Sequence, residues 1–228
     1  MSLAENIKEV NRRIEEACIR CGRNPAEITL VGASKTKPAA DINEALSAGL
    51  KVIGENRVQE LLEKYDGIAK GTEIHLIGHL QSNKVKYIAD KVALIHSVDS
   101  KHLAKEISRC GEKIGRDINV LIQVNVSGEE SKSGIAPEML DDLLDYIEGL
   151  SNIKVKGLMT IPPLDSGSME NSRNIFKDLY KIYIDKKQKK YNNINMSILS
   201  MGMSNDFEIA VEEGATMVRV GRAVFGSR

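Results

Sequence analysis

Eight short apolar runs, separated by stretches with the 3.6-residue periodicity of helices, constrain this chain more than any other feature. The runs are Ile28–Ala33, Lys51–Gly54, Ile74–Ile77, Ala93–Val98, Val120–Val126, Val155–Met159, Ser197–Ser200 and Met217–Val220, and each reads as a strand. Regular strand–helix alternation has two common solutions, an open doubly wound sheet or a closed (β/α)8 barrel. The count of eight, a length of 228 residues and the lack of a G-x-G-x-x-G turn after the first strand favour the barrel. No linker is long enough to separate two domains, so residues 1–228 are expected to form a single α/β barrel domain.

The segments between the runs carry helix start signals. Leu3–Cys21 places Leu3, Ile7, Val10, Ile14, Ala17 and Cys18 on one side, with Ser2 and Glu5 at capping-box spacing and Gly22 as the stop before an Asn24-Pro25 loop. Pro38, Ser100 and Pro137 open further helices, the last burying Leu140, Leu143, Leu144, Ile147 and Leu150. A long helix is expected over Met169–Lys190, with Ile175, Phe176, Leu179, Ile182 and Tyr183 inward. Its basic end, Lys186, Lys187, Lys189 and Lys190, reads as a solvated face favoured by the helix dipole. Only Gly221–Arg228 follow the last strand, so the extra N-terminal helix is expected to cover the gap a full eighth helix would fill.

Composition narrows the partners. Lys and Arg total 32, as do Asp and Glu, so no net positive field exists to hold nucleic acid or an anionic membrane. Aromatics are 4% and Trp is absent, which disfavours base-stacking platforms. With no apolar run of membrane-spanning length and no signal-peptide pattern at the start, a soluble cytoplasmic protein is expected. Cys18 and Cys21 have C-x-x-C spacing, but they lie three apart in a helical pattern, and no second pair of Cys or His completes a metal site.

In a barrel the active face lies at the carboxyl ends of the strands. There the sequence is polar and specific: Ser34-Lys35-Thr36-Lys37-Pro38, Glu55-Asn56-Arg57, Gly78-His79-Leu80-Gln81-Ser82-Asn83-Lys84, Ser200-Met201-Gly202-Met203-Ser204 and Gly221-Arg222. The loops after strands seven and eight are the usual phosphate site of the fold. Ser200 and Ser204 offer hydroxyls, Gly202 and Gly221 let backbone N–H groups approach an anion, and Asp206 is placed to cap the following helix. Lys35, just past a buried strand, is expected at the mouth, where an amine made neutral by burial or by Lys37 can form a Schiff base. A lysine facing a phosphate cradle points to a phosphorylated carbonyl, either pyridoxal 5'-phosphate (PLP) or the sugar phosphate of a lysine-dependent aldolase.

These stretches, read in order, closely resemble the YggS/PROSC family of PLP-binding proteins, described as pyridoxal phosphate homeostasis proteins. The resemblance runs through Val31–Pro38, Gly54–Glu60, His75–Lys84, Gln123–Asn125, Ser131–Gly134, Gly157–Met159, Leu199–Phe207 and Val218–Gly221. It implies a barrel like the N-terminal domain of alanine racemase. It also implies that Lys35 holds PLP as a covalent aldimine, that Ser200 and the backbone around Gly221 and Arg222 contact the phosphate, and that Asn56 lines the pocket. Arg219 matches the arginine that faces the pyridine nitrogen. An arginine can only donate, so that nitrogen stays unprotonated and the ring is a weaker electron sink than one paired with a carboxylate.

Carrier and racemase readings then separate on a second proton donor, which a two-base racemase needs opposite Lys35. In the resembled racemases a tyrosine from an additional C-terminal domain of the partner subunit supplies it, whereas this chain stops at Arg228. Tyr65, Tyr87, Tyr146, Tyr180, Tyr183 and Tyr191 fall in predicted helices or their ends, and His79 reads as a loop hydrogen-bonding residue. The expectation is a non-enzymatic, monomeric protein that holds PLP and releases or delivers it, with PLP-dependent apoenzymes as partners and a racemase-like enzyme as the alternative.

Overall fold

The computed structural model describes residues 2–129, 133–163 and 169–226. Eight parallel strands close into a barrel in chain order: β1 Thr29–Ala33, β2 Val52–Glu55, β3 Glu73–Leu76, β4 Leu94–Val98, β5 Ile118–Gln123, β6 Ile153–Met159, β7 Ile194–Ser200 and β8 Met217–Val220. Closure is made by β8 pairing with β1, Val31 opposite Arg219 and Gly32 opposite Val220. The single (β/α)8 barrel expected from the alternation is the observed fold. The central strands differ from expectation: β5, β6 and β7 each begin two or three residues earlier, and β5 ends at Gln123. Polar residues such as Asn119, Lys154 and Asn195 obscure those starts in sequence, yet the backbone ladder continues through them.

Alternation along each strand sorts side chains between two cores. Val31, Val52, Ile77, Leu94, Leu121, Met159 and Met217 pack inside the barrel. Ile53, Ile74, Leu76, Ile95, Val120, Ile122, Leu158, Leu199, Val218 and Val220 point outward into the layer shared with the helices. That outer layer is covered by α1 Leu3–Cys21, α2 Ala39–Ser47, α3 Val58–Lys64, α4 Lys101–Ile114, α5 Leu140–Glu148, α6 Met169–Gln188, α7 Phe207–Glu212 and the four-residue α8 Arg222–Phe225.

The N-terminal helix has the expected ends: Ser2 and Glu5 form a reciprocal capping box, and Gly22 stops it in the left-handed region at φ 71°. It packs on α7 and α8, filling the space beside the short last helix. Ile7, Val10 and Ile14 are buried there, each worth about 1.5–3 kcal/mol. Polar ties hold the same seam: Asn6 Nδ2 donates to Val224 O at 3.0 Å, and Arg23 donates to the carbonyls of Val211 and Ala215 at 2.8 and 2.7 Å.

Two helical expectations need correction. Pro137 opens a 3-10 turn over Pro137–Met139, and the α-helix starts at Leu140. The basic end of α6 is more than a solvated face. Lys186 and Lys189 both donate to the Asp141 carboxylate on α5, at 3.0 and 2.8 Å, and hold its pKa below the usual carboxylate value.

The β6 strand bends at Gly157, where its register shifts against both β5 and β7. A Cβ there would lie 1.7 Å from the Ile198 carbonyl oxygen, so only glycine permits this approach. Gly157→Ala is therefore expected to cost about 3 kcal/mol or more of stability. Gly149, at φ −77° with its nearest would-be Cβ contact at 3.6 Å, is the control: Gly149→Ala should be neutral or stabilising by about 0.4–1 kcal/mol. Urea unfolding midpoints of the two variants check this, and equal midpoints would contradict it.

Candidate functional site

The carboxyl end of the β1–β8 seam gathers three of the residues singled out in the sequence. Because Val31 pairs with Arg219, the loop carrying Lys35 and the turn at Gly221 leave the barrel side by side. Lys35 is exposed at the rim and, among the described residues, has no hydrogen-bond or ion-pair partner. The burial expected at this position is therefore not found. Arg219 is the opposite case: it is 3% exposed, and burial pulls its guanidinium down to about 10 against the opposing field of Asp206. It donates to Ser200 Oγ at 2.6 Å and to the Thr160 carbonyl at 2.9 Å, which leaves the rest of its five N–H donors for another acceptor.

A buried lysine fixes the Lys35 loop. Lys64, at the end of α3 and 10% exposed, pairs with the fully buried Glu55 at 2.8 Å and with Glu60 at 3.3 Å. Its ammonium also donates to the carbonyls of Ser34 and Lys37, both at 3.1 Å, so it grips the chain on either side of Lys35. Glu60 accepts from the Thr36 N–H, and Glu55 accepts from the Ser34 hydroxyl. Thr36 needs this grip, since at φ 66° it occupies a region that β-branched residues rarely adopt. Burial pushes the Glu55 carboxyl up despite the bonds from Lys64 and Ser34. Sequence reading overlooked Lys64. The available signal was its i,i+4 spacing from Glu60, which by itself marks only an ordinary helix pair.

The loops after β7 and β8 meet as expected, although the individual groups divide their roles. Ser204 Oγ accepts from the Gly221 N–H at 3.2 Å, joining the two loops at the rim. Ser200 lies below them, fully buried and turned to Arg219. Gly202 is in the left-handed region at φ 88°, where a Cβ would come within 2.5 Å of the Ala210 Cβ, so its absence of side chain serves packing on α7. Gly221 has φ −102°, and a Cβ there would make only ordinary contact with Ala33, at 3.4 Å from its carbonyl oxygen. Arg222 is exposed and donates to Asn205 Oδ1 at 3.1 Å. Asp206 does not cap α7. Its carboxylate accepts from the Met203 N–H at 2.6 Å, inside its own loop, and burial raises its pKa. Asn56, past the end of β2, leaves a buried Oδ1 without a hydrogen-bond partner among the described residues.

Other sequence candidates lie elsewhere. His79 is 56% exposed on the loop after β3, with Nδ1 3.8 Å from Asp99. Tyr146, Tyr180 and Tyr183 are on α5 and α6, Tyr65 and Tyr87 are in 3-10 helices, and Tyr191 follows the end of α6. Cys18 is buried in the α1 face, where burial pushes its thiol up, and Cys21 donates to the Ala17 carbonyl. Ser131 and Lys132 of the family pattern lie outside the described residues, and Ser133 accepts from Gln123 Nε2 at 3.1 Å.

Comparisons with known proteins agree with this layout. The alanine racemase N-terminal domain family matches residues 2–228. The pyridoxal phosphate homeostasis protein of Aquifex aeolicus is 49% identical over 229 residues, covering 100% of this chain and 99% of that one. PipY of Synechococcus elongatus, solved with PLP bound, superposes with a TM-score of 0.86 at 32% identity, covering 99% of this chain and 100% of that one. An alanine racemase of Clostridium difficile shares the fold, with a TM-score of 0.74 at 17% identity, covering 100% of this chain and 60% of the racemase.

Removing Lys64 leaves Glu55 buried without its cation, so Lys64→Met is expected to cost about 3 kcal/mol at neutral pH. The Glu55 pKa is already raised in the folded state, and the substitution raises it further. The folded state then holds a proton that the unfolded state releases, so the deficit grows as pH rises above the ordinary glutamate range and fades below it. Urea titrations from pH 4 to 8, with amide exchange at Ser34–Lys37, measure both effects. A pH-independent deficit, or unchanged exchange, would show that Lys64 does not hold the loop.

Proposed function

The chain belongs to the alanine racemase N-terminal domain family, among its pyridoxal phosphate homeostasis proteins, and from that premise we propose that it is a PLP-binding protein of PLP homeostasis. In this reading it holds PLP reversibly through Lys35 and releases or delivers it to PLP-dependent apoenzymes. The observation that carries the reading is the placement of an amine without a partner among the described residues, on the loop after β1, beside a buried, donor-only guanidinium on the adjacent strand β8. PLP, when bound, supplies an aldehyde that condenses with a primary amine with loss of one water.

The residues of the site fit such a ligand. Lys35 is exposed at the rim and able to reach a carbonyl from solution. Arg219 would offer its remaining N–H groups to a pyridine nitrogen and has no proton to relinquish readily, so it would favour the unprotonated ring. Ser204 and the backbone at Gly221 and Arg222 line the rim for the phosphate, Gly202 sets their loop, and Ser200 supports them from beneath through Arg219. The unpaired Oδ1 of Asn56, past the end of the neighbouring strand β2, offers an acceptor.

The carrier reading is favoured over a racemase by the groups around Lys35. Racemisation by two bases needs a second proton donor on the opposite face. The Tyr183 hydroxyl donates to the Met196 carbonyl in the helical layer, and His79 is largely in solvent beside Asp99. The relatives bear the name of homeostasis proteins.

Mixing the purified protein with PLP should produce an imine absorption band, and borohydride reduction should lock the adduct onto Lys35. Lys35→Ala should lose that band. An adduct mapped to another lysine would overturn the assignment, and trapping of a sugar phosphate instead would restore the aldolase reading. Exchange of the alanine α-proton for deuterium at enzymatic rates, abolished in Lys35→Ala, would establish the racemase alternative.

A further inference from the structure

A chain of hydrogen bonds runs through the barrel interior from Arg219 to the opposite end. Arg219 Nη1 lies 2.6 Å from Ser200 Oγ, Ser200 Oγ 3.2 Å from His96 Nδ1, His96 Nε2 3.1 Å from His75 Nδ1, and His75 Nε2 2.9 Å from Glu73 Oε1. Ser200, His96, His75 and Arg219 are all at most 3% exposed, whereas the Glu73 side chain is 55% exposed. Glu73 opens β3 at the amino end of the barrel, where it lines a cavity of about 600 Å³ together with Thr29, Lys51 and Met217. Around this chain Val31, Val52, Leu94, Leu121, Met159 and Met217 form an apolar layer, and dispersion packing does not require two histidines there.

The two ends of the chain determine its polarity. An arginine only donates, so Ser200 accepts from Arg219 and uses its own proton on His96 Nδ1. His96 then carries its proton on Nε2 and donates to His75 Nδ1, and His75 donates from Nε2 to Glu73. The reverse arrangement would set an unprotonated His75 Nε2 against a carboxylate, two acceptors facing each other. The bond from His75 holds Glu73 below the usual glutamate pKa, and burial, with the fields of His75 and Arg219, holds His96 well below its ordinary value. Both shifts favour the ionised carboxylate and the neutral His96 imidazole that a one-way chain requires.

We propose that Glu73, His75 and His96 are positioning residues that hold Arg219 in place for the ring of PLP through this one-directional relay, so that a residue at the far end of the barrel tunes cofactor affinity. This rests on the PLP reading of the site. The relay itself is a property of the protein without ligand.

Imidazole 15N shifts of the full-length, ligand-free protein should show both His75 and His96 as Nε2–H tautomers. Glu73→Leu, an alteration at a half-exposed position, should give mixed tautomers at both rings and raise the PLP dissociation constant about tenfold, a loss on the scale of one charge-assisted hydrogen bond. Glu73→Gln keeps a carbonyl acceptor and should restore the tautomers and most of the affinity. An Nδ1–H tautomer at either ring of the unaltered protein would overturn the relay. So would a Glu73→Leu variant with unchanged tautomers, or one with relaxed tautomers and unchanged affinity. If the unaltered protein fails to bind PLP, the cofactor reading falls and with it the proposed role of the relay in affinity, while the tautomers still decide whether the relay exists.

Discussion

The pairing of the last strand with the first is the constraint on which the rest of the structure depends. Four residue pairs, from Thr29 with Met217 to Gly32 with Val220, turn an eight-stranded sheet into a barrel with no free edge. Only with that closure does the interior become sealed enough to bury Arg219, and only then do the loops of β1 and β8 meet. The short α8 leaves this seam thinly covered, and α1 compensates by laying Ile7, Val10 and Ile14 across it. Arg13 on α1 adds an ion pair to Glu208 on α7 at 2.7 Å, and Arg20 pairs with Glu212. Such partly exposed pairs contribute at most about 1 kcal/mol each, so apolar burial holds the seam and the charges orient it.

Inside the barrel the apolar layer and the polar chain solve different problems. Val31, Val52, Leu94, Leu121, Met159 and Met217 fill space without requiring partners. Arg219 cannot be buried on those terms, because an uncompensated guanidinium in such surroundings is costly. Ser200, Thr160 and the histidines behind them provide directed acceptors. At the rim the Glu55–Lys64 pair makes a parallel arrangement: a charge buried with enough acceptors becomes a fixed point for the chain around it.

Much of this was legible in the sequence because it depends on local pattern. The short apolar runs located every strand, and the Ser2, Gly22 and Ser100 signals located the helix ends they mark. Lys35, Gly221 and Arg222 could be assigned to one mouth because position past a strand end is a property of topology, whereas Arg219 was placed there by the family resemblance. What local pattern does not carry is the partner of a polar side chain across elements. Lys64 looks like a surface residue until Glu55 and the Ser34 carbonyl are beside it. Lys186 looks solvated until Asp141 faces it. Asp206 has the spacing of a cap, yet its own loop offers the Met203 N–H first. His75 and His96 are separated by 21 residues and share nothing in sequence that predicts their contact.

The β1–β8 seam also bears on the order in which the protein is assembled. Asn6 reaches Val224 across 218 positions of chain, and β1 meets β8 across nearly as many. Loop closure over such separations is entropically costly, so contacts of this range form late relative to local strand–helix units. During synthesis Lys35 emerges well before Arg219 and Gly221, which follow it by more than 180 positions. An unfinished chain therefore has the Lys35 amine without the Arg219 and Gly221 that stand beside its loop in the completed barrel.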